Sequence, residues 1–232
     1  MTATFELAGK KIRNRLVHAS MTTHMQDAGY VTDDLIQYHV NRADGGVGMT
    51  ITEPLAMTRT QADVPKVQVR NPETHDGLKR WADAVESRDC RLLAQIQDPG
   101  RGRHYPGRSA NAIGASYLPD DLSWTMPHAL LGDEVRTLIA DFAESAGVLK
   151  ACGFSGAEIS CSHGHLFHQF FSPHSNIRED EYGGDWEGRT RLVSELMNAV
   201  RDVCGSDFII GLKLPGNDGV PDSIGPGEAG II

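Results

Sequence analysis

The chain has 232 residues, with 22 lysines and arginines against 31 aspartates and glutamates, a net charge of −9 at neutral pH. That length suits one large domain or two small ones, and 40% hydrophobic with 23% charged residues is the make-up of a folded globular chain, unlike a disordered one. The acidic balance argues against a general nucleic-acid or anionic-membrane binder, whose surface is normally basic.

No apolar run approaches the ~20 residues that a bilayer span needs. The N-terminal stretch MTATFELAGKKIRNR lacks the basic-then-apolar order of a secretion signal. Cys90, Cys152, Cys161 and Cys204 lie far apart with no C-x-x-C, so reduced thiols in a cytoplasmic protein are expected.

The first predicted strand covers 16–20. A helix follows, with Thr32 as N-cap, Asp33 and Asp34 at the positive end of its dipole and Gly45-Gly46 as its stop. The second strand covers 49–52. The next helix runs from 74 to about 89, with Leu78, Trp81, Ala82 and Val85 on one face. The third strand, 92–97, leads into a Gly-, Pro- and Ser-containing segment, 98–132, expected to be an active-site covering. The clearest helix runs from 133 to about 151, its stripe Val135, Leu138, Ile139, Phe142, Ala146 and Leu149 ended by Gly153. A fourth strand at 156–160, a helix from 186 to about 203 and a fifth strand at 208–214 complete the pattern.

Short apolar strands separated by amphipathic helices make an α/β chain with a parallel sheet. Order alone leaves two architectures, an open doubly wound sheet or a closed (β/α)8 barrel. No G-x-G-x-x-G follows the first strand and no G-x-x-x-x-G-K-[ST] occurs, which counts against an open nucleotide-binding fold. A barrel needs eight strands. Here the fifth is followed by PGNDGVPDSIGPGEAGII, stopping on Ile231-Ile232. The expectation is one incomplete barrel domain over 1–232, with about the first five β-α units of a (β/α)8 TIM barrel and apolar edges left open.

Chemistry-bearing residues concentrate at the end of the fourth strand, in Ser160-Cys-Ser-His163-Gly-His165-Leu-Phe-His168-Gln169. Three histidines this close invite a metal reading, a barrel hydrolase using His163, His165 and Glu53. The other strand ends offer Ser20, Gln97 and Lys213, which do not complete such a set, so no metal is expected. His163 and His165 sit just past a strand end, where barrel enzymes keep catalytic groups; His168 is expected to pack or cap in the helix that begins there. Ser20, Thr22, Gln95 and Lys213 supply hydrogen-bonding groups and one cation, which suits a planar heteroaromatic ligand that gains negative charge on reduction. The turn-rich run from Ser172 to Leu192 reads as a scaffold behind the fourth strand, with Gly183-Gly184 permitting positive φ.

The stretches KIRNRLVHASMTTHMQDAG, RADGGVGMTITE, AQIQDPGRGR, GFSGAEISCSHGHLFHQFFSPHSNIREDEYGGDWEGR and FIIGLKL, in that order over nearly the whole chain, resemble the old yellow enzyme family of flavin-dependent oxidoreductases. The resemblance implies a (β/α)8 barrel holding FMN at its C-terminal mouth. It implies that Ala19, Ser20, Met21 and Thr22 lie against the flavin ring, with Thr22 tuning its edge. Gln95 would pair with the pyrimidine edge, and Lys213 would stand for the basic residue that steadies the reduced ring. His163 matches the second member of the family's substrate-binding pair, Ser160 occupies the place of the first, and His165 falls where many relatives carry a proton-donating tyrosine.

Four positions depart from the family's pattern. Ser160 is short and nonbasic, Ser20 stands for a common proline, Pro54 removes a backbone N–H, and Asp98 stands for a frequent histidine. The implied activity is FMN-dependent hydride transfer on a small molecule, ene-reductase-like or amine dehydrogenase/demethylase-like, with NAD(P)H as the electron donor of a reductase. Barrel phosphate sites commonly follow strands seven and eight, so the 232-residue chain is expected to hold FMN weakly. The rival readings are the metal hydrolase and an inactive truncated fragment that pairs its open edge with another chain. A homo-oligomer is compatible with all of these.

Overall fold

In the computed structural model, which describes residues 3–62, 64–103, 111–122, 124–221 and 223–230, the chain divides into two compact units. One comprises Met1–Ile96, Asp141–Ile159 and Ala199–Gly211; the other comprises Gln97–Ala140, Ser160–Asn198 and Leu212–Ile232. Ile231 and Ile232 lie outside the described residues, as do 104–110 and 123 of the segment expected to cover the site.

The first unit opens with a hairpin absent from the expected elements, β1 (Phe5–Leu7) and β2 (Lys10–Ile12), paired antiparallel. Its two turn residues, Ala8 and Gly9, have φ of 49° and 70°, the positive pair that matches a tight turn to the twist of its strands. Then come β3 (Val17–His18), α1 (Asp33–Asp44), β4 (Met49–Pro54), α2 (His75–Glu86) and β5 (Arg91–Ile96). Thr32 caps α1 as expected, its hydroxyl accepting the Leu35 N–H at 3.2 Å. The remaining elements are the short pair β6 (Ile113–Gly114) and β7 (His128–Ala129), α3 (Gly132–Ala151), β8 (Gly156–Ser160), α4 (Leu166–Phe171), α5 (Trp186–Cys204), β9 (Ile209–Lys213) and α6 (Pro226–Ala229).

β3, β4, β5, β8 and β9 lie side by side in that order. The pairings Val17↔Met49, Met49↔Arg91 and Leu93↔Gly156 are all parallel. Consecutive parallel strands joined through helices are the repeated β-α unit expected from the sequence. The register slips between Ile51 and Pro54, where proline cannot donate to the ladder. Gly156 is required by its neighbour: a Cβ there would stand 2.3 Å from the Ile209 carbonyl oxygen.

The strands of this sheet bury apolar residues on both faces, with Thr50, Thr52, Gln95 and Glu158 buried among them. On one face, Met49, Ile51, Leu93 and Ile209 cluster with Ile12 of the hairpin, so the N-terminal hairpin closes a surface that the strands alone would leave wet. α1 buries Leu35, Val40 and Ala43, and α2 buries Leu78, Trp81, Ala82 and Val85. The two edges of the sheet are β3 and β9, and Val17 on β3 is 50% exposed.

The second unit begins at Gln97, directly after β5 in the chain. Asp98, fully buried, pairs with Arg103, accepts the Gly100 N–H at 2.8 Å and gives its carbonyl to the Leu166 N–H at 2.9 Å. The carboxylate thus holds the start of the long segment in a turn, while the backbone carbonyl of Asp98 ties it to the first turn of α4. The run after α4 is a scaffold. Asn176 donates to the Phe170 and Tyr182 carbonyls at 2.7 and 2.8 Å, and Arg178 donates to those of Ala115 and Leu130 at 2.8 and 2.5 Å. The Tyr182 hydroxyl donates to Glu195 at 2.8 Å.

Candidate active site

At the C-terminal ends of β8 and β9 the Cys161 N–H donates to the Lys213 carbonyl at 2.8 Å, so the residues just past these two strands start from adjacent backbone. They surround a cavity of about 660 Å³ lined by Ser162, His163, His168, Lys213, Arg101 and Asp218 among others, a volume ordinary for a small-molecule site. Three imidazoles contribute, since His174 is also in its wall.

His163 and Gly164 take φ of 62° and 72°. A non-glycine residue in this left-handed region costs of order 1–2 kcal/mol, so the turn needs outside support. α4 supplies it through two consecutive side chains. The Gly164 N–H donates to His168 Nδ1 at 2.9 Å, and Gln169 Nε2 donates to the Gly164 carbonyl at 2.7 Å. The His163 ring is exposed, with its Nδ1 2.8 Å from the Ser162 hydroxyl. Its centroid lies 5.9 Å from that of His165, the half-buried N-cap residue of α4.

Burial holds His168 below the ordinary histidine range; Asp218 opposes this, and His163 and Arg101 reinforce it. Asp218 faces His168 Nε2 at 4.0 Å. Burial would raise the Asp218 carboxyl, but hydrogen bonds from Ser223, Val220, Ser172 and Ile224 outweigh it and keep the group below the usual carboxylate range.

Lys213 and His163 therefore share one cavity. Ser160 ends β8 with 2% exposure, and neither it nor His165 is among the lining residues. Ala19, Ser20, Met21 and Thr22 follow β3 in the first unit; all but the half-buried Ser20 are exposed, Met21 at 58%. Gln95 is buried on β5 and donates from Nε2 to Glu158 Oε1 at 2.8 Å. Glu53 accepts from Thr23. Among the described residues no group of three or more His, Cys, Asp or Glu side chains is placed to hold a metal ion. Sequence reasoning missed Asp218, Ser162 and Arg101 as wall residues. Asp218 had a signal, a carboxylate in the Gly-rich loop after a strand end; Arg101 had none beyond a weak glycine spacing.

Taken unit by unit, the donors are of the kinds that an isoalloxazine ring needs. Lys213 brings a cation to the cavity. Gln95 spends one of two amide N–H donors on Glu158, and its amide also carries a carbonyl acceptor. The 19–22 segment offers the exposed Thr22 hydroxyl together with the exposed apolar Ala19 and Met21.

Parallel β-α units with a cation and imidazoles at neighbouring strand ends define a barrel-type enzyme scaffold, whose sites gather at the C-terminal face. The chain belongs to the NADH:flavin oxidoreductase / NADH oxidase family, the old yellow enzyme family, whose sequence profile matches residues 3–229. It is 34% identical to a metal reductase of Desulforamulus reducens, over 96% of this chain and 33% of that protein. It is 31% identical to an N,N-dimethylglycine/sarcosine dehydrogenase of Chromohalobacter salexigens, over 94% and 32%. With an NADPH dehydrogenase of Clostridium acetobutylicum identity is 32%, over 89% and 61%. The chain thus spans about a third of the first two relatives and under two thirds of the other.

Among solved structures, a 2-naphthoyl-CoA reductase complex superposes with a TM-score of 0.90 at 22% identity, over 98% of this chain and 37% of that one. Morphinone reductase in complex with tetrahydroNAD gives 0.83 at 23%, over 91% and 63%. These likenesses show the fold. The five parallel strands and their helices are the first units of a (β/α)8 TIM barrel. No helix among the described residues is long and apolar enough to cross a membrane.

Proposed function

We propose that this chain is the substrate-facing part of an FMN-dependent oxidoreductase that passes a hydride between NAD(P)H, or an organic substrate, and the flavin. The observation that carries it is that His163 and Lys213 line one cavity at the adjacent C-terminal ends of β8 and β9. When bound, FMN supplies a two-electron hydride carrier. Lys213 would hold its ammonium against the ring edge that gains negative charge, an electrostatic stabilisation strengthened by exclusion of water. Gln95 would fix the pyrimidine edge, and the segment Ala19, Ser20, Met21 and Thr22 would bear on the ring.

His163, oriented by the Ser162 hydroxyl, donates a hydrogen bond to the substrate carbonyl or a similar acceptor. Ser160 is the shorter partner at the strand end. His165, one tilted ring away, delivers the proton in the reductive direction. The metal-hydrolase alternative is disfavoured by family membership and by the commitment of Glu53 to Thr23. A second reading, oxidation of a C–H beside nitrogen, is supported by the similarity to the dimethylglycine/sarcosine dehydrogenase and by Asp218 and Asp121 in the cavity wall, which suit a cationic amine.

The test is anaerobic reduction of the FMN-loaded barrel followed by substrate addition. NAD(P)H bleaching the flavin, with an activated alkene restoring its colour, supports the reductase. Bleaching by a secondary or tertiary amine without NAD(P)H supports the second reading. In His165→Phe the first half-reaction should persist and the second slow. A protein that never takes up flavin would end both.

A further inference from the structure

Two cavity imidazoles, His168 and His174, have no part in the chemistry proposed above, and His168 is the buried one. It is 8% exposed; Nδ1 accepts a hydrogen bond, whereas the buried Nε2 has no hydrogen-bond partner among the described residues. Nδ1 faces the Gly164 N–H at 2.9 Å. A donor there requires an unprotonated nitrogen, so the neutral ring must carry its proton on Nε2. Nε2 looks toward Asp218 Oδ2 at 4.0 Å, an oxygen that already accepts from Ser172 and Ser223 hydroxyls and the Ile224 N–H.

The residue held through Nδ1 is the second of two left-handed residues in succession, and the first is His163. Gly164 reaches no other side chain through its N–H, whereas its carbonyl is held separately by Gln169. The turn that carries His163 thus has two side-chain supports, and the one at the Gly164 N–H requires His168 to accept a hydrogen bond. Protonation of the imidazole puts a hydrogen on Nδ1, sets two donors face to face, and leaves the new charge beside Asp218.

We propose that His168 is the positioning residue for His163: its unprotonated Nδ1 holds the Gly164 N–H and so the turn that presents His163 to the cavity, and protonation against Asp218 releases that hold. The groups that face His168 are Asp218 on the loop after β9, His163 on the turn and Arg101 on the loop after β5; Lys213, His174 and Asp121 line the same cavity. Asp218 favours release, while burial, His163 and Arg101 oppose it, so the hold persists at neutral pH. The effect on turnover rests on the substrate-orienting role proposed for His163; the hold itself does not.

The experiment is a pH titration of the ¹⁵N-labelled 232-residue chain by NMR, read at the Gly164 amide and at the ring nitrogens of His163 and His168. The expected result is a Gly164 amide shifted and protected at pH 8, losing both as His168 protonates, with the His163 signals moving in the same step. In His168→Asn, whose side-chain oxygen can replace Nδ1 as acceptor, the Gly164 shift should persist and no longer titrate. In His168→Leu it should be lost at every pH. A Gly164 amide indifferent to pH in the unaltered chain overturns the proposal without any variant having to fold.

In the flavin-loaded barrel, His168→Leu should lower kcat on the order of 10- to 100-fold through misplacement of His163. His168→Asn should recover most of that loss and flatten the acid limb of the pH profile. An NMR result as expected with kcat unmoved would strike the role given to His163 and leave the hold standing.

Discussion

Thr23 gives both its backbone N–H and its hydroxyl to one oxygen of Glu53, at 2.5 and 2.8 Å. Glu53 is 4% exposed on β4, so this carboxylate anchors the chain immediately after the segment 19–22. Glu53→Ala should leave the Thr23 N–H without its acceptor and cost about 1–3 kcal/mol. Urea denaturation checks the stability, and FMN titration should show weaker uptake than in Glu53→Gln, which keeps an acceptor.

The buried pair of Asp98 and Arg103 offers a second test. Replacing Arg103 alone with Met strands a carboxylate that is fully buried, a loss of roughly 3–5 kcal/mol. Asp98→Leu combined with Arg103→Met should recover much of it, because no unpaired charge remains. A double-mutant cycle in urea measures the difference.

Acid should destabilise the fold through His39. It is 1% exposed with Nδ1 donating to the Leu35 carbonyl at 3.1 Å, and burial lowers its pKa to about 4. In the unfolded chain it titrates near 6.5. Between those two values the unfolded chain binds more protons than the folded one, so stability falls as pH falls. The contribution is whole above the unfolded value and is lost by the time pH reaches the folded one. The full effect is about 3 kcal/mol. Urea midpoints at pH 7.5 and pH 4.5 should differ markedly in the unaltered chain and less in His39→Phe.

FMN uptake should be weak in this chain. A (β/α)8 barrel commonly grips phosphate with loops after its seventh and eighth strands, and the β3-β4-β5-β8-β9 sheet of the described residues has five strands. Visible flavin absorbance after gel filtration should be slight for the 232-residue chain and stoichiometric for a protein carrying all eight units. Lys213→Met in the latter should lower the flavin midpoint potential, since the reduced ring loses its cation.

Composition and periodicity were enough for the β-α alternation. All five strands of the parallel sheet and the four long helices fall where apolar runs and 3.6-residue stripes put them, because those signals are local and each element buries its own stripe. Caps behaved likewise: Thr32 and Gly153 act within a few residues of themselves. The hairpin β1–β2 was illegible, since its turn is Ala-Gly and its strands are three residues each; only Ile12 meeting Ile51 and Ile209 makes it worthwhile. The motif of the fourth strand end singled out His163 as a candidate. What holds it could be read there only in part. The bond from the Gly164 N–H to His168 is local, four residues apart, and agrees with the packing or capping role expected of His168. Asp218, however, stands 50 residues beyond His168 in the sequence. Long-range partners and ring tautomers are set by where backbone segments meet, and that is decided by tertiary packing.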